Sequence, residues 1–311
     1  MIPVILRPGI GDYRPSATLY YGKDVRETLK SLPSASLDLV CTSPPYWGHR
    51  DYGAEGQIGL EDSPEQYLSA LVEVFREVRR VLKPEGTLWV NLGDSSDVGA
   101  KSKNLLGLPW KLVFALQKEG WILRQDIVWA KPNPIPESVS DRPTRSHEYL
   151  FLLSHPDGNG KYFYDLESSK EKAVTGSWAS MPPIGGRKKS VLGEAKFSGR
   201  TPPGDGFRNL RSVWTIPTAR YSGGHFAAWP PELVRRIILA GCPFGGTVLD
   251  PFSGSATTGM VALQEGRNYI GVDLNPDYLE LATARIEGRQ APQEAEPVID
   301  FDVFSLLGDS A

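Results

Sequence analysis

The residues Thr42-Ser43-Pro44-Pro45-Tyr46-Trp47 follow directly on the apolar run Leu37-Asp38-Leu39-Val40-Cys41. Two consecutive prolines fix φ and remove two backbone donors, so the carbonyls and the Ser43 hydroxyl face outward as acceptors instead of joining a sheet ladder. A rigid pair of acceptors beside an aromatic ring suits a flat base that carries an amino group. The same residues also fit an ordinary proline turn closing a strand, so the rest of the chain must separate the two readings.

A second run with its own chemistry comes late in the chain. Val248-Leu249-Asp250 leads into Pro251-Phe252-Ser253-Gly254-Ser255-Ala256-Thr257-Thr258-Gly259, a strand, a tight turn of small residues and a helix start. Small residues let a ligand approach the backbone closely. The first turn of a helix offers unpaired N–H groups at its positive dipole end, a site for a carboxylate or phosphate. Asp273, 23 residues beyond Asp250, ends the next strand and could accept hydrogen bonds from two ribose hydroxyls. An acid about 20 residues after a glycine turn is the arrangement of dinucleotide sites. Here the turn reads Gly254-x-Ala256-x-x-Gly259, so a plain strand-turn-helix and nicotinamide dinucleotide binding both stay open on these residues alone.

The elements that must position these runs alternate. Periodicity predicts strand Leu37 to Cys41, helix Pro64 to Leu82, strand Thr87 to Leu92, helix Leu108 to Lys118, and strands Ile122 to Ala130 and Tyr149 to Leu153. After a stretch from 156 to 220 rich in Gly, Pro, Ser and Lys/Arg come helix Pro231 to Ala240, strand Thr247 to Asp250, helix Thr257 to Glu265, strand Asn268 to Asp273 and helix Pro276 to Ile286. Such alternation implies an α/β layered fold with a mostly parallel sheet. Both runs then sit at strand carboxyl ends, where open α/β sheets bind ligands. With 311 residues, 40% apolar and 23% charged, the chain is long enough for a large core. No stretch is apolar enough to span a bilayer and the start lacks a signal pattern, which places the chain in the cytoplasm. Cys41, Cys242, His49, His147, His155 and His225 are too scattered for a metal site. The net charge of -3 excludes a uniformly basic coat, so any nucleic-acid contact has to be a local patch.

Together, Ser43-Pro44-Pro45-Tyr46 and Asp250-Pro251-Phe252-Ser253-Gly254-Ser255 resemble the catalytic and cofactor motifs of the DNA amino-methyltransferases that use S-adenosylmethionine, in the permuted order where the catalytic loop comes first. The resemblance spans about residues 18–287. It implies a Rossmann-like, mostly parallel sheet, circularly permuted, with an inserted target-recognition region. Residues 1–155 would be the catalytic part, 156–220 the insertion, 221–287 the cofactor part and 288–311 a tail. By the same resemblance Ser43, Pro44, Pro45 and Tyr46 are catalytic, and Asp250, Pro251, Phe252, Ser253, Gly254, Ser255, Thr257 and Asp273 hold S-adenosylmethionine. Tyr21-Gly22-Lys23-Asp24 resembles the element whose acid contacts the cofactor adenine, which assigns Asp24. His225-Phe226 resembles the element that packs on the methionine moiety, which assigns Phe226. The family usually has glycine where this chain has Ala256, a methyl group that the turn tolerates if φ stays negative.

The implied reaction needs these residue types. An exocyclic amine is a poor nucleophile because its lone pair is delocalised into the ring. If Ser43 Oγ and the Pro44 carbonyl each accept one amino hydrogen, the nitrogen pyramidalises and its lone pair points at the sulfonium methyl. Tyr46 would stack on the base, which must be flipped out of the duplex; Trp47 fits either the pocket wall or the core. A carbon-5 cytosine methylase would need a thiol after a proline, and neither cysteine has that context. In the family resembled, serine at the first loop position is commoner in N4-cytosine enzymes, and Asp or Asn in N6-adenine enzymes. Ser43 therefore predicts N4-methylcytosine, with N6-methyladenine as the alternative. A neutral hydroxyl could also donate its proton to cytosine N3. A non-catalytic DNA-binding protein with a methylase shell and a nicotinamide oxidoreductase are the readings from other classes.

Lys131, Arg142 and Arg145 fall in proline-rich stretches that resemble loops of bacterial and phage members, and are expected at phosphates flanking the flipped base. Between 185 and 212 stand Arg187, Lys188, Lys189, Lys196, Arg200, Arg208 and Arg211 against Glu194 and Asp205, a local excess of seven minus two, +5. This predicts a DNA-facing insertion in which Arg187, Lys188, Lys189, Arg208 and Arg211 bind double-stranded DNA; the alternative is a solvated charged loop. The run Val298 to Phe304 permits an edge strand or a partner contact within an otherwise loosely attached tail. The resemblance also leaves open a homodimer and a separate cognate restriction endonuclease.

Overall fold

The computed structural model describes residues 3–6, 13–49, 51, 53–96, 104–134, 136–172, 207–218 and 229–289. The elements are β1 (Val4–Leu6), β2 (Ala17–Tyr21), α1 (Val25–Ser31), β3 (Leu37–Thr42), α2 (Pro64–Val81), β4 (Leu82–Leu92), α3 (Leu108–Lys118), β5 (Ile122–Ala130), β6 (His147–Ser154), β7 (Glu171–Lys172), β8 (Phe207–Arg208), β9 (Val213–Thr215), α4 (Pro231–Gly241), β10 (Thr247–Asp250), α5 (Thr257–Gln264), β11 (Asn268–Asp273) and α6 (Tyr278–Ile286). Nine strands form one sheet in the order β1-β2-β11-β10-β3-β4-β6-β5-β9, and β7 pairs with β8 apart from it. β1 runs antiparallel to β2, and β6 antiparallel to β4 and β5; the other neighbours in the large sheet are parallel. The expected mostly parallel sheet is therefore observed, closed on one side by an antiparallel strand.

Alternating side chains bury both faces of the sheet. From β4, Trp89 joins a cluster with Leu233, Ile237 and Val261 of α4 and α5, while Leu88 and Val90 join Leu71, Phe75 and Leu112 of α2 and α3 on the other side. Full burial of each such side chain contributes about 1.5–3 kcal/mol. Helix α2 shows why the sequence folds this way locally. Ser63 caps it by accepting from Gln66 N at 3.3 Å, Pro64 occupies its first turn, and Tyr67, Leu71, Val74, Phe75 and Val78 form its buried stripe. Arg80, in its last turn, donates to the carbonyls of Leu29 and Leu32 at 2.7 and 3.0 Å, satisfying the end of α1.

The elements differ from the sequence expectation in both extent and number. Helix α2 ends at Val81 because Leu82 already pairs with Leu37, and the residues before Thr87 bulge outward with Lys83 Nζ 2.7 Å from Asp38 Oδ1. Periodicity also missed β2 and α1; β2 is short and buried on alternate residues, and α1 is recognisable chiefly by its Asp24 cap. Part of the segment expected as an insertion joins the main sheet, since β9 pairs in parallel with β5 and Trp214 is buried in the core. The tail from 290 onward, with the run Val298 to Phe304, lies outside the described residues.

Helix α5 is held close to β11 by the absence of a side chain at Gly259, where a Cβ would come within 2.5 Å of Tyr269 Cε1. Gly259→Ala is expected to cost about 1–3 kcal/mol of stability, read as a lower urea midpoint with an unchanged slope. An unchanged midpoint would mean that α5 moves off the sheet freely.

Candidate active site

The sheet changes direction of progression between β10 and β3: the chain passes from β10 outward to β11, and from β3 outward to β4 on the other side. Crevices open at the carboxyl ends of strands at such a switch point. A cleft of about 860 Å³ lies at this edge, and its walls include Ser43, Pro44, Pro45, Tyr46, the Asp250 to Ser255 loop, Thr257, Asp273 and Asp24. The two runs singled out from the sequence thus share one cavity.

On one side of the cleft the Asp250 loop is built from buried polar contacts. The Asp250 carboxylate accepts from Thr42 Oγ1 at 2.7 Å, Thr258 Oγ1 at 2.6 Å and Phe252 N at 3.1 Å. Burial pushes it up to about 6, opposed by the hydrogen bonds from Thr258, Thr42 and Phe252 N. Asp250, expected at the cofactor, lines the cleft and anchors the loop to the end of β3. Beneath the loop, Ser253 Oγ lies 2.7 Å from both Tyr21 Oη and Tyr269 Oη, and Tyr21 Oη donates to the Gly254 carbonyl at 2.8 Å. Ser255 Oγ accepts from Arg285 Nη1 at 2.8 Å. Asp273 accepts from Gly254 N at 2.7 Å and Asn275 N at 2.9 Å, and burial raises it to about 6 against those two bonds. Asp24 caps α1 by accepting from Arg26 N at 2.7 Å; the Arg26 guanidinium, first, and that N–H hold its carboxyl below the usual range.

Ala256 departs from expectation. Its φ is +54°, in the left-handed region, with Gly254 at +50° beside it. The condition of a negative φ is not met, and the alanine carries a strain of about 1–2 kcal/mol. The return is an α5 whose first turn has no side-chain cap, leaving N–H groups for an anionic ligand.

On the other side, Tyr67 Oη donates to the Pro45 carbonyl at 2.7 Å, whereas no donor among the described residues reaches the Pro44 carbonyl. Ser43 Oγ donates to Asn91 Oδ1 at 3.3 Å, and Asn91 Nδ2 donates to the Tyr149 carbonyl at 3.1 Å. Asn91 Oδ1 and Tyr46 Oη both stand within reach of the serine hydroxyl, and its Oγ keeps lone pairs that can accept. Tyr46 Oη lies 2.8 Å from Glu148 Oε2 and 3.3 Å from Asn91 Oδ1. Trp47 belongs to the core, its indole N–H donating to the Glu61 carbonyl at 2.9 Å.

The structure divides the expected DNA contacts. Lys131 and Arg145 line the cleft; Lys131 pairs with Glu148 over the Trp129 ring, and Arg145 donates to the Asp94 carbonyl. Arg142 is held at the rim by pairing at 2.6 Å with Glu137, a residue of the cleft wall, whereas Arg208 and Arg211 both reach Glu171 at 2.8 Å, away from the cleft walls. Phe226, Arg187, Lys188 and Lys189 lie outside the described residues. Sequence reasoning missed Asn91, Glu148, Tyr21 and Tyr269. The one signal available was a polar residue inside the strand Leu88-Trp89-Val90-Asn91-Leu92.

Comparison with known proteins agrees with this geometry. The profile of the N6/N4 methyltransferases, described as DNA methylase, matches residues 37–284. The type II methyltransferase M.Cfr9I of Citrobacter freundii is 44% identical over 297 residues, covering 88% of both chains. Among solved structures, the PvuII DNA methyltransferase (cytosine-N4-specific) shares the fold with a TM-score of 0.63 at 21% identity, covering 86% of each chain. The DNA modification methylase TTHA0409 of Thermus thermophilus, complexed with S-adenosyl-L-methionine, has a TM-score of 0.59 at 28% identity and covers 87% of this chain and 95% of its own. A profile match over most of the chain, together with the two loops meeting in one cleft, shows that the protein belongs to the N6/N4 DNA methylase family of S-adenosylmethionine-dependent methyltransferases.

Proposed function

We propose that this enzyme transfers the methyl group of S-adenosylmethionine to N4 of a cytosine flipped out of double-stranded DNA, at a specific site. The observation that carries the reading is Ser43, its Oγ 3.3 Å from Asn91 Oδ1, beside a Pro44 carbonyl that no donor among the described residues reaches. Both oxygens are then acceptors for the two amino hydrogens, which localises the nitrogen lone pair for in-line attack on the sulfonium methyl. An N–C bond forms, the C–S bond breaks, S-adenosylhomocysteine leaves and one amino proton is released. Within the family, serine at this position accompanies N4-cytosine chemistry more than N6-adenine chemistry, which supports cytosine.

In the cofactor half, the N–H groups at the uncapped start of α5 would suit the methionine carboxylate, Phe252 and Gly254 line the space the cofactor would fill, and Asp273 would accept from the ribose hydroxyls. Asp24, at the cleft wall, is the residue we assign to the adenine, and Phe226, outside the described residues, is assigned to the methionine moiety by its motif alone. Lys131 and Arg145 work inside the cleft. Arg142, Arg208 and Arg211 are held in ion pairs with partly exposed side chains; such pairs are worth about 0–1 kcal/mol, so exchange to DNA phosphates costs little. Residues 156–220 carry the target-recognition function, with the strand β9 as their anchor in the sheet. The type II naming of the relatives supports a cognate restriction endonuclease acting as a separate polypeptide in the cytoplasm, as in a restriction-modification pair. No helix among the described residues is long and apolar enough to cross a membrane.

Nucleoside mass spectrometry of DNA treated with enzyme and labelled cofactor tests the product. Label is expected in N4-methylcytosine; label only in N6-methyladenine refutes the cytosine assignment. Ser43→Ala should keep S-adenosylhomocysteine affinity and lose about 10²-fold or more in turnover, because the missing acceptor matters in the transition state.

Cofactor affinity should depend on pH through Asp273. Its folded value of about 6 means that ribose donors meet a carboxylate above pH 6 and a carboxylic acid below it. Since the ligand favours the ionised form, affinity is full above pH 6 and falls by up to about tenfold per unit below it. Asp273→Asn should bind more weakly at pH 7.5 and show a shallower slope, the remainder coming from Asp250, which burial also raises to about 6. Calorimetry giving equal wild-type affinity at pH 5 and 7.5 would contradict the role.

Replacing Arg187, Lys188 and Lys189 with alanine should weaken DNA binding and flatten its dependence on salt by up to about three ions released. An unaltered slope would place these residues in a solvated loop.

A further inference from the structure

One charged pair in the cleft has no part in the chemistry just described. Glu148, at the start of β6, accepts from Tyr46 Oη at 2.8 Å and is ion-paired with Lys131 at the end of β5. Both side chains are largely buried, 13% and 18% exposed, and the lysine ammonium lies 4.4 Å from the centroid of the Trp129 ring. A buried carboxylate is tolerated when a cation and hydrogen bonds satisfy it, and Lys131 and Tyr46 do so here. The tyrosine hydroxyl has one proton to give. Asn91 Oδ1 stands at 3.3 Å and the carboxylate at 2.8 Å, and the shorter, charge-assisted bond is the stronger.

The same ring is gripped from two other sides. A Cβ at Gly93 would come within 2.8 Å of Tyr46 Cε2, so the ring passes close over the chain just after β4, where that side chain is missing. His49 meets it edge-on, with centroids 5.8 Å apart and planes at 83°. An unsupported tyrosine turns about χ1 and χ2; this one has its hydroxyl tied to β6 and its ring close over the chain just after β4.

We propose that Glu148, charge-balanced by Lys131, is a positioning residue that locks the Tyr46 ring in the orientation in which it stacks on the flipped base. The inference deepens the proposed function and rests on Ser43-Pro44-Pro45-Tyr46 being the loop that holds the base. It gives Lys131 the task of neutralising the carboxylate inside the pocket, in place of a phosphate contact outside it.

Two nearly isosteric variants test the assignment. In Glu148→Gln the amide oxygen turns to Lys131 and its NH2 to Tyr46, so the tyrosine proton passes to Asn91 and the ring loses its charge-assisted tether. Tyr46→Phe keeps the ring and removes the hydroxyl. Each is expected to lower kcat by about tenfold on duplex DNA that the wild-type enzyme methylates, with the KM for S-adenosylmethionine unchanged. The double variant should fall no further than Tyr46→Phe alone, because both changes remove one interaction. With 2-aminopurine at the target position, the stacked base of the wild-type complex should be quenched and both variants brighter. A merely structural Glu148 would lower the unfolding temperature while leaving kcat and fluorescence at 25 °C as they were. That result, or additive losses in the double variant, overturns the proposal. A wild-type enzyme labelling only adenine would sink the cytosine reading separately, since the variant-to-wild-type ratios are judged on whichever base carries the label.

Discussion

The buried carboxylate of Asp250 is the contact on which the rest of the site depends. It ends β10, is 2% exposed, and accepts from Thr42 at the end of β3, from Thr258 in α5 and from the Phe252 amide. Three donors on three separate pieces of chain converge on one side chain. Removing it would leave two hydroxyls and an N–H buried without partners, each a loss comparable to a broken hydrogen bond. Because Thr42 immediately precedes Ser43, the anchor of the cofactor loop is also the anchor of the acceptor loop. Under the proposed function, the spacing between methyl donor and acceptor follows from this one shared contact.

Each half of the cleft then uses a different device for rigidity. The cofactor half relies on hydroxyl chains, with Tyr21, Ser253 and Tyr269 bonded in sequence under the loop. Burial pushes both tyrosines well above their ordinary values, with Asp273 and Asp250 the next causes for Tyr21 and Tyr269 respectively, so these groups stay neutral donors at any working pH. The acceptor half relies on prolines, which need no partners, and on Tyr67, which takes the Pro45 carbonyl and leaves Pro44 open. A preorganised acceptor is worth more than a mobile one, since no reorganisation is needed as charge develops.

The strain at Ala256 fits the same logic. A left-handed alanine is unfavourable, yet the residue is fully buried and its turn aims the start of α5 at the cleft. The surrounding contacts from Tyr21, Asp273 and Arg285 hold the loop in that shape. Local strain of this kind persists where neighbouring structure over-determines the backbone.

Much of this was legible in the chain itself. Ser43-Pro44-Pro45 could be read as an acceptor loop because proline removes donors whatever surrounds it, and Asp250 and Asp273 could be placed at strand ends because each closes an apolar run before small or turn-forming residues. The alternation of elements predicted the layered α/β fold for the same local reason. What the sequence could not decide is which polar atoms meet across strands. Asn91 looks like one polar interruption in an apolar strand until β3 and β4 pair in parallel and bring Ser43 to it. Glu148 and Lys131 looked like loop charges until β6 paired antiparallel with β5, setting Glu148 opposite Trp129. Asp250 gained the role of clamp, which the sequence did not suggest, because its partners Thr42 and Thr258 lie 208 and 8 residues away. Hydrogen-bond donors are short-ranged and directional, so their pairing follows strand order and register, and these are settled only when the whole sheet has formed.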